Sequence, residues 1–208
     1  MGMMLAMARH IAVANETTQK GEWNRKKYTG VELMGKTLGI VGLARIGSGI
    51  AKRAAAFGMT VIGYDPYVNE ERAQAMGLEL VDLNGIIERS DFVTVHMPLT
   101  NETRDMFNKD NIAKMKDGVI LINNSRGGLV VEQDLADALN SGKIAAAALD
   151  VVSTEPIKAD NVLLGAKNCI ITPHISWATK EARERIMQTT AENIQSVIDG
   201  KPINVVNA

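Results

Sequence analysis

Short apolar runs alternate with longer stretches of helical spacing along almost the whole chain, and this alternation restricts the fold more than any other feature. The spacing predicts strands over residues 37–41, 59–64, 92–95, 119–122, 145–149 and 170–172, with helices over 46–57, 69–76, 132–140 and 178–198. Strands this short and apolar need cover on both faces, and a strand followed by a helix brings the chain back parallel to its start. The expectation is an α/β chain with a doubly wound, mostly parallel sheet. Ligands of such sheets bind at the carboxyl ends of the strands.

With 208 residues, 46% hydrophobic and 23% charged, the chain can bury a real core and suffices for one domain or one and a half. A net charge of −1 gives no electrostatic reason for a nucleic-acid partner. The lone Cys169 excludes an intrachain disulfide and lies in an apolar run that reads as a buried, inert strand. No apolar stretch is long enough to span a bilayer, so no membrane partner is expected and cytoplasm is the default. No metal site is expected.

Met3, Met4, Met7, Ala8 and Ile11 recur at helical spacing, apolar on nearly every side as far as Asn15 and Glu16. Such a helix needs partners all round. The expected partner is an earlier domain or a second subunit, and a chain that starts inside such a helix looks cut.

Gly42-Leu43-Ala44-Arg45-Ile46-Gly47 follows the run 37–41, and Asp65 ends the next strand eighteen residues beyond Gly47. A strand, a glycine turn, a helix and then an acid at this spacing make a dinucleotide-binding unit. Gly42 permits the tight turn and Gly47 close helix–strand packing, while the N–H groups of Arg45 and Ile46 face a pyrophosphate at the positive helix end. Asp65 accepts from ribose hydroxyls and repels a 2′-phosphate, which favours NAD over NADP. Ala44 stands where the fingerprint has glycine, its methyl at the place of closest approach to phosphate.

Further on, Arg126 follows a buried-looking strand in Asn123-Asn124-Ser125-Arg126-Gly127-Gly128. An arginine there can pair with a carboxylate and polarise the adjacent carbonyl. Asp150 ends the small-residue strand 145–149, Glu155 precedes Pro156, and His174 follows Pro173. The prolines restrict the backbone beside the carboxylate and the imidazole. A histidine with a carboxylate neighbour favours its protonated form, which suits proton donation to a carbonyl oxygen.

Together these residues resemble the D-2-hydroxyacid dehydrogenase family over essentially the whole chain. The resemblance runs through Gly42 to Gly47 with Asp65, His96-Met97-Pro98-Leu99-Thr100, Ser125-Arg126-Gly127-Gly128, Asp150 to Pro156 and Thr172-Pro173-His174. It implies a Rossmann sheet lacking most of the usual substrate domain, with NAD as cofactor. Arg126, Glu155 and His174 would be catalytic: His174 the acid/base, Glu155 setting its protonation and Arg126 holding a small 2-oxo or 2-hydroxy acid. Met97, Pro98, Asn124, Ser125, Asp150 and Trp177 would line the cofactor site, with Asp150 holding the carboxamide. Glu155 separates the chain from the formate dehydrogenase branch, which has glutamine there.

Within the family, Gly21 to Pro66 resembles phosphoglycerate dehydrogenases, and Ser125 to Lys180 with Trp177 is closer to glycerate (hydroxypyruvate) dehydrogenases. Residues 1–28 would be an N-terminal helix and connector that dimerises, 29–177 the NAD-binding domain, and 178–208 a helix and tail returning to a substrate domain. The alternative from another class is a non-catalytic NAD-responsive interaction module, which the apolar first helix motivates.

Overall fold

A computed structural model describes residues 1–206, which fall into two compact units, Met1–Pro173 and the remainder from His174. The first opens with α1 (Gly2–Ala8) and α2 (Ile11–Gln19), followed by β1 (Thr37–Val41), α3 (Arg45–Ala56), β2 (Thr60–Tyr64), α4 (Glu70–Ala75) and β3 (Glu79–Leu80). It continues through α5 (Leu83–Arg89), β4 (Phe92–Val95), α6 (Lys109–Lys114), β5 (Val119–Asn123), α7 (Glu132–Ser141), β6 (Ile144–Leu149) and β7 (Cys169–Ile171). The second unit is built on α8 (Lys180–Ile198).

The strands form one sheet in the order β3-β2-β1-β4-β5-β6-β7, and every pairing is parallel. The order reverses between β1 and β4, and sheets of this kind bind ligands at the carboxyl ends of the strands at such a reversal. β4 and β5 are buried at every position. Their side chains alternate between two cores. Phe92, Ile120 and Ile122 meet Met4, Met7, Ala51 and Ala54 on one face, and Val93, Val95 and Leu121 meet Ile86, Ile87, Leu135 and Leu139 on the other.

Small residues bring α3 close to the sheet, since its buried positions are Gly47, Ala51 and Ala54. A Cβ on Gly47 would lie 1.9 Å from the carbonyl oxygen of Gly42. α7 starts with Glu132 and Asp134 in its first turn, where carboxylates meet the positive helix end, and stops at Gly142 with φ 85°.

The single N-terminal helix expected from the apolar spacing is two helices. His10 takes a left-handed backbone (φ 54°), and α2 buries none of its residues. The carbonyl of Ala8 accepts from the N–H of Val31 at 2.9 Å, so the end of α1 is tied to the approach to β1. One face of α1 finds its partner within the chain. Met4, Met7 and Ala8 are buried on the chain's own sheet, against β5 and β6. β3, α5 and α6 were not foreseen; side-chain caps start α5 (Asp82 accepting from Gly85 N–H, 2.7 Å) and α6 (Asn108).

In the second unit, Thr179 caps α8 by accepting from the N–H of Ala182 at 3.1 Å. The tail returns along the helix, where Asn204 Nδ2 donates to Asn193 Oδ1 at 2.9 Å. None of the helix's residues is buried, and Ile186, Met187, Ile194, Val197 and Ile198 are exposed. Among the described residues, no helix is long and apolar enough to cross a membrane.

Candidate active site

The first half of the site is the turn between β1 and α3. Gly42 has φ 98°, and a Cβ there would lie 2.7 Å from the carbonyl oxygen of His96, so both the conformation and the approach of β4 require glycine. Ala44 is different. Its backbone is extended (φ −67°, ψ −162°), a conformation open to any residue, and it is the exposed N-cap of α3 with no side-chain cap. Arg45 and Ile46 are exposed as well, leaving the first turn open to an anion.

Asp65 closes the turn. Its Oδ2 accepts from the N–H of Leu43 at 2.8 Å and its Oδ1 from the N–H of Tyr67 at 2.9 Å. Each carboxylate oxygen keeps lone-pair capacity for a ribose hydroxyl. Open helix N-terminus, glycine cradle and oriented acid together fit a dinucleotide.

Beyond β4, Met97 contributes its backbone while its side chain is buried in the core; its carbonyl accepts from the Ser125 hydroxyl. Pro98 is exposed, and its carbonyl accepts from Thr103 Oγ1 at 2.6 Å. Asn124 Nδ2 donates to Met3 Sδ at 3.4 Å, linking α1 to this edge of the site.

The chemistry-bearing loops follow β5 and β6. Asn123, buried at the end of β5, holds the Arg126 loop from inside. Its Nδ2 donates to the carbonyl of Arg126 at 2.8 Å, and its Oδ1 accepts from the N–H of Ser125 at 3.0 Å. Arg126 itself is exposed, with one N–H of its guanidinium on the Ser125 carbonyl at 2.7 Å.

A Cβ on Gly127 would lie 2.0 Å from the carbonyl carbon of Val152 and 2.4 Å from Ser153 N, so the Arg126 loop is stacked on the loop that leads to Glu155. Glu155 Oε1 accepts from the N–H of Val152 at 3.3 Å. Asp150 is buried beside them, and the Thr172 hydroxyl donates to its Oδ1.

The first unit therefore brings Arg126, Asp150 and Glu155 onto adjoining strand ends. His174 is the first residue of the second unit, with a left-handed backbone (φ 55°) after Pro173. Trp177 lies three residues on in that unit, half exposed, its carbonyl accepting from the N–H of Thr179 at 2.9 Å. Cys169 is only partly covered, yet burial pushes its thiol up to about 11, so it stays protonated.

The structural roles of Asn123 and Thr172 are ones the sequence does not single out. An amide closing an otherwise apolar buried strand is the signal that marks Asn123, since it must find internal partners.

These features define a dinucleotide-binding α/β domain with dehydrogenase-like loops on its strand ends. The chain belongs to the family of the D-isomer specific 2-hydroxyacid dehydrogenase, NAD binding domain, whose family model matches residues 1–176. It is 51% identical over 211 residues to a hydroxypyruvate reductase of Blautia hydrogenotrophica, covering 99% of this chain and 65% of that protein. It is also 51% identical over 209 residues to a D-3-phosphoglycerate dehydrogenase of Methanocaldococcus jannaschii, covering 100% of this chain and 40% of that protein. A solved D-lactate dehydrogenase from Aquifex aeolicus, complexed with NAD and lactic acid, superposes with a TM-score of 0.85 at 31% identity, covering 96% of this chain and 65% of that one. The chain thus spans less than two thirds of the length of these relatives.

Proposed function

We propose that the chain is the cofactor-binding part of an NAD-dependent oxidoreductase acting at C2 of a small 2-hydroxy or 2-oxo acid. The observation that carries the reading is the stacking of Gly127 on Val152–Ser153, which joins the Arg126 loop to the Glu155 loop at the carboxyl ends of the same parallel sheet as the dinucleotide turn. NAD(H), when bound, supplies or accepts the hydride at C2. The pyrophosphate is held by the open first turn of α3, the ribose by Asp65 and the carboxamide by Asp150, with Met97, Pro98, Asn124, Ser125 and Trp177 around them. Arg126 pairs with the substrate carboxylate and polarises the carbonyl. His174 gives the carbonyl oxygen its proton in reduction and takes it back in oxidation, and Glu155 is the carboxylate assigned to work with it.

Hydroxypyruvate/glycerate is the substrate pair favoured, supported by the likeness of residues 125–180 to glycerate dehydrogenases. The equal identity to a D-3-phosphoglycerate dehydrogenase supports phosphoglycerate as the second reading. In this reading, residues 29–177 form the NAD-binding domain and 178–208 return to a substrate domain. Dimerisation through residues 1–28 is supported by exposed Ile11, Val13 and Trp23 around α2. The cytoplasm is the proposed compartment, consistent with a single cysteine.

NADH oxidation with hydroxypyruvate, compared with 3-phosphohydroxypyruvate and glyoxylate, tests both activity and substrate. Turnover retained in Arg126→Ala or His174→Ala would refute the roles given to those residues.

A further inference from the structure

We infer that Glu132, the first residue of α7, is a positioning residue for Glu155: one carboxylate pins both ends of the loop that carries it. Glu132 Oε1 accepts from the N–H of Ser153 at 2.6 Å, and its Oε2 accepts from Asn161 Nδ2 at 2.9 Å. Asn161 passes the constraint on, since its Oδ1 accepts from the N–H of Leu163 at 2.9 Å, and Leu163 is buried. Between the pins, residues 153–160 are all exposed and contain no helix or strand. A segment of this kind is ordered only as far as its anchors order it.

Glu155 lies two residues past the first pin and reaches back to the N–H of Val152, just before it. The anchor itself is firm, because α7 buries Leu135, Ala136, Ala138 and Leu139 in the core. Gly127 stacks on the same Val152–Ser153 segment, so Glu132 and the Arg126 loop hold it from adjacent points. Both arms of the clamp place an N–H donor on a charged oxygen, which makes them stronger than neutral hydrogen bonds.

The donor pattern supplies the test. Glu132→Gln keeps one acceptor but turns an NH2 group toward the Asn161 NH2 group. The double variant E132Q/N161D restores a donor–acceptor pair, lets the new carboxylate still accept from Leu163 N–H, and keeps the net charge.

Hydrogen exchange on the intact protein reads the clamp directly, without turnover. In E132Q, the amides of residues 153–161 should exchange about tenfold faster, corresponding to loss of about one charge-assisted hydrogen bond. Protection in α7 and the sheet should hold, and E132Q/N161D should restore the loop. Unchanged exchange in E132Q overturns the clamp.

The link to Glu155 rests on the function proposed above and is read from the steady-state kinetics of hydroxypyruvate reduction. E132Q should lower kcat by on the order of 10- to 100-fold. It should leave KM for NADH unchanged, and the double variant should recover kcat. Faster exchange with an unchanged kcat overturns the positioning role. A parent protein with no turnover counts against the proposed function alone, and exchange still decides the clamp.

Discussion

The N–H of Leu43, inside the glycine turn, donates to Oδ2 of Asp65 at 2.8 Å, although the two residues are 22 positions apart. The turn and the acid therefore act as one piece, and Asp65 is already oriented by backbone donors. Replacing it should affect both the proposed ribose contact and the shape of the turn.

Asp65→Ala should weaken NADH binding by at least about tenfold, near 1.4 kcal/mol, as a charged acceptor for the ribose is lost. Titration of NADH fluorescence at fixed salt measures this. An affinity matching that of the parent protein would rule out Asp65 as a ribose ligand.

One methyl group is accommodated at Ala44 and excluded at Gly47. Because the backbone of Ala44 is extended, Ala44→Gly relieves no strain; it should cost about 0.4–1 kcal/mol of stability through the unfolded chain and tighten NADH binding a few fold. Gly47→Ala drives a Cβ into the carbonyl of Gly42 and should destabilise by roughly 1–3 kcal/mol or more. Thermal melts and NADH titrations of the pair decide it; a Gly47→Ala protein as stable as the parent contradicts the packing described.

Asn123→Ala strips the buried partner from the Arg126 carbonyl and the Ser125 N–H. The expected cost is about 2 kcal/mol in urea unfolding. NADH affinity should change little while turnover falls, since the loop carrying Arg126 loosens and the turn after β1 does not. Equal loss of NADH affinity and turnover would show that Asn123 supports the whole crevice instead.

His96 should make stability depend on pH. Burial, aided by the positive amino group of Met1, holds its imidazole down at about 4, with Thr94 Oγ1 at 2.9 Å from Nε2. In the unfolded chain the value returns to about 6.5, so between pH 6.5 and 4 the unfolded state binds more protons than the folded one. Stability therefore falls as pH drops through that window, by on the order of 3 kcal/mol in all. Melts from pH 7 to 4 should show a shallower decline for His96→Gln than for the parent, and parallel curves would remove His96 from this role.

The main strands, the glycine turn and the Asp65 spacing were legible because each is encoded over a few neighbouring residues. Buried parallel strands must be continuous apolar runs, and the turn after β1 admits only glycine at Gly42. The short elements were not legible. Two residues in β3 carry no period, and α5 contains Asn84-Gly85, which reads as a turn; the Asp82 cap and burial of Ile86 and Ile87 make it a helix. The unbroken apolar spacing near the N-terminus hid the break at His10, because spacing does not register where the sheet under α1 ends.

By itself, the sequence determined the doubly wound sheet, the place of the cofactor turn and the residue types able to carry out carbonyl chemistry. All three follow from local pattern, because backbone freedom and side-chain period act over short distances. Only the tertiary structure decided that Leu43 orients Asp65, that Asn123 holds the Arg126 loop and that Glu132 pins the Glu155 loop at both ends. Those are hydrogen bonds between residues that become neighbours only once parallel strands set their carboxyl ends side by side, and no spacing along the chain encodes them.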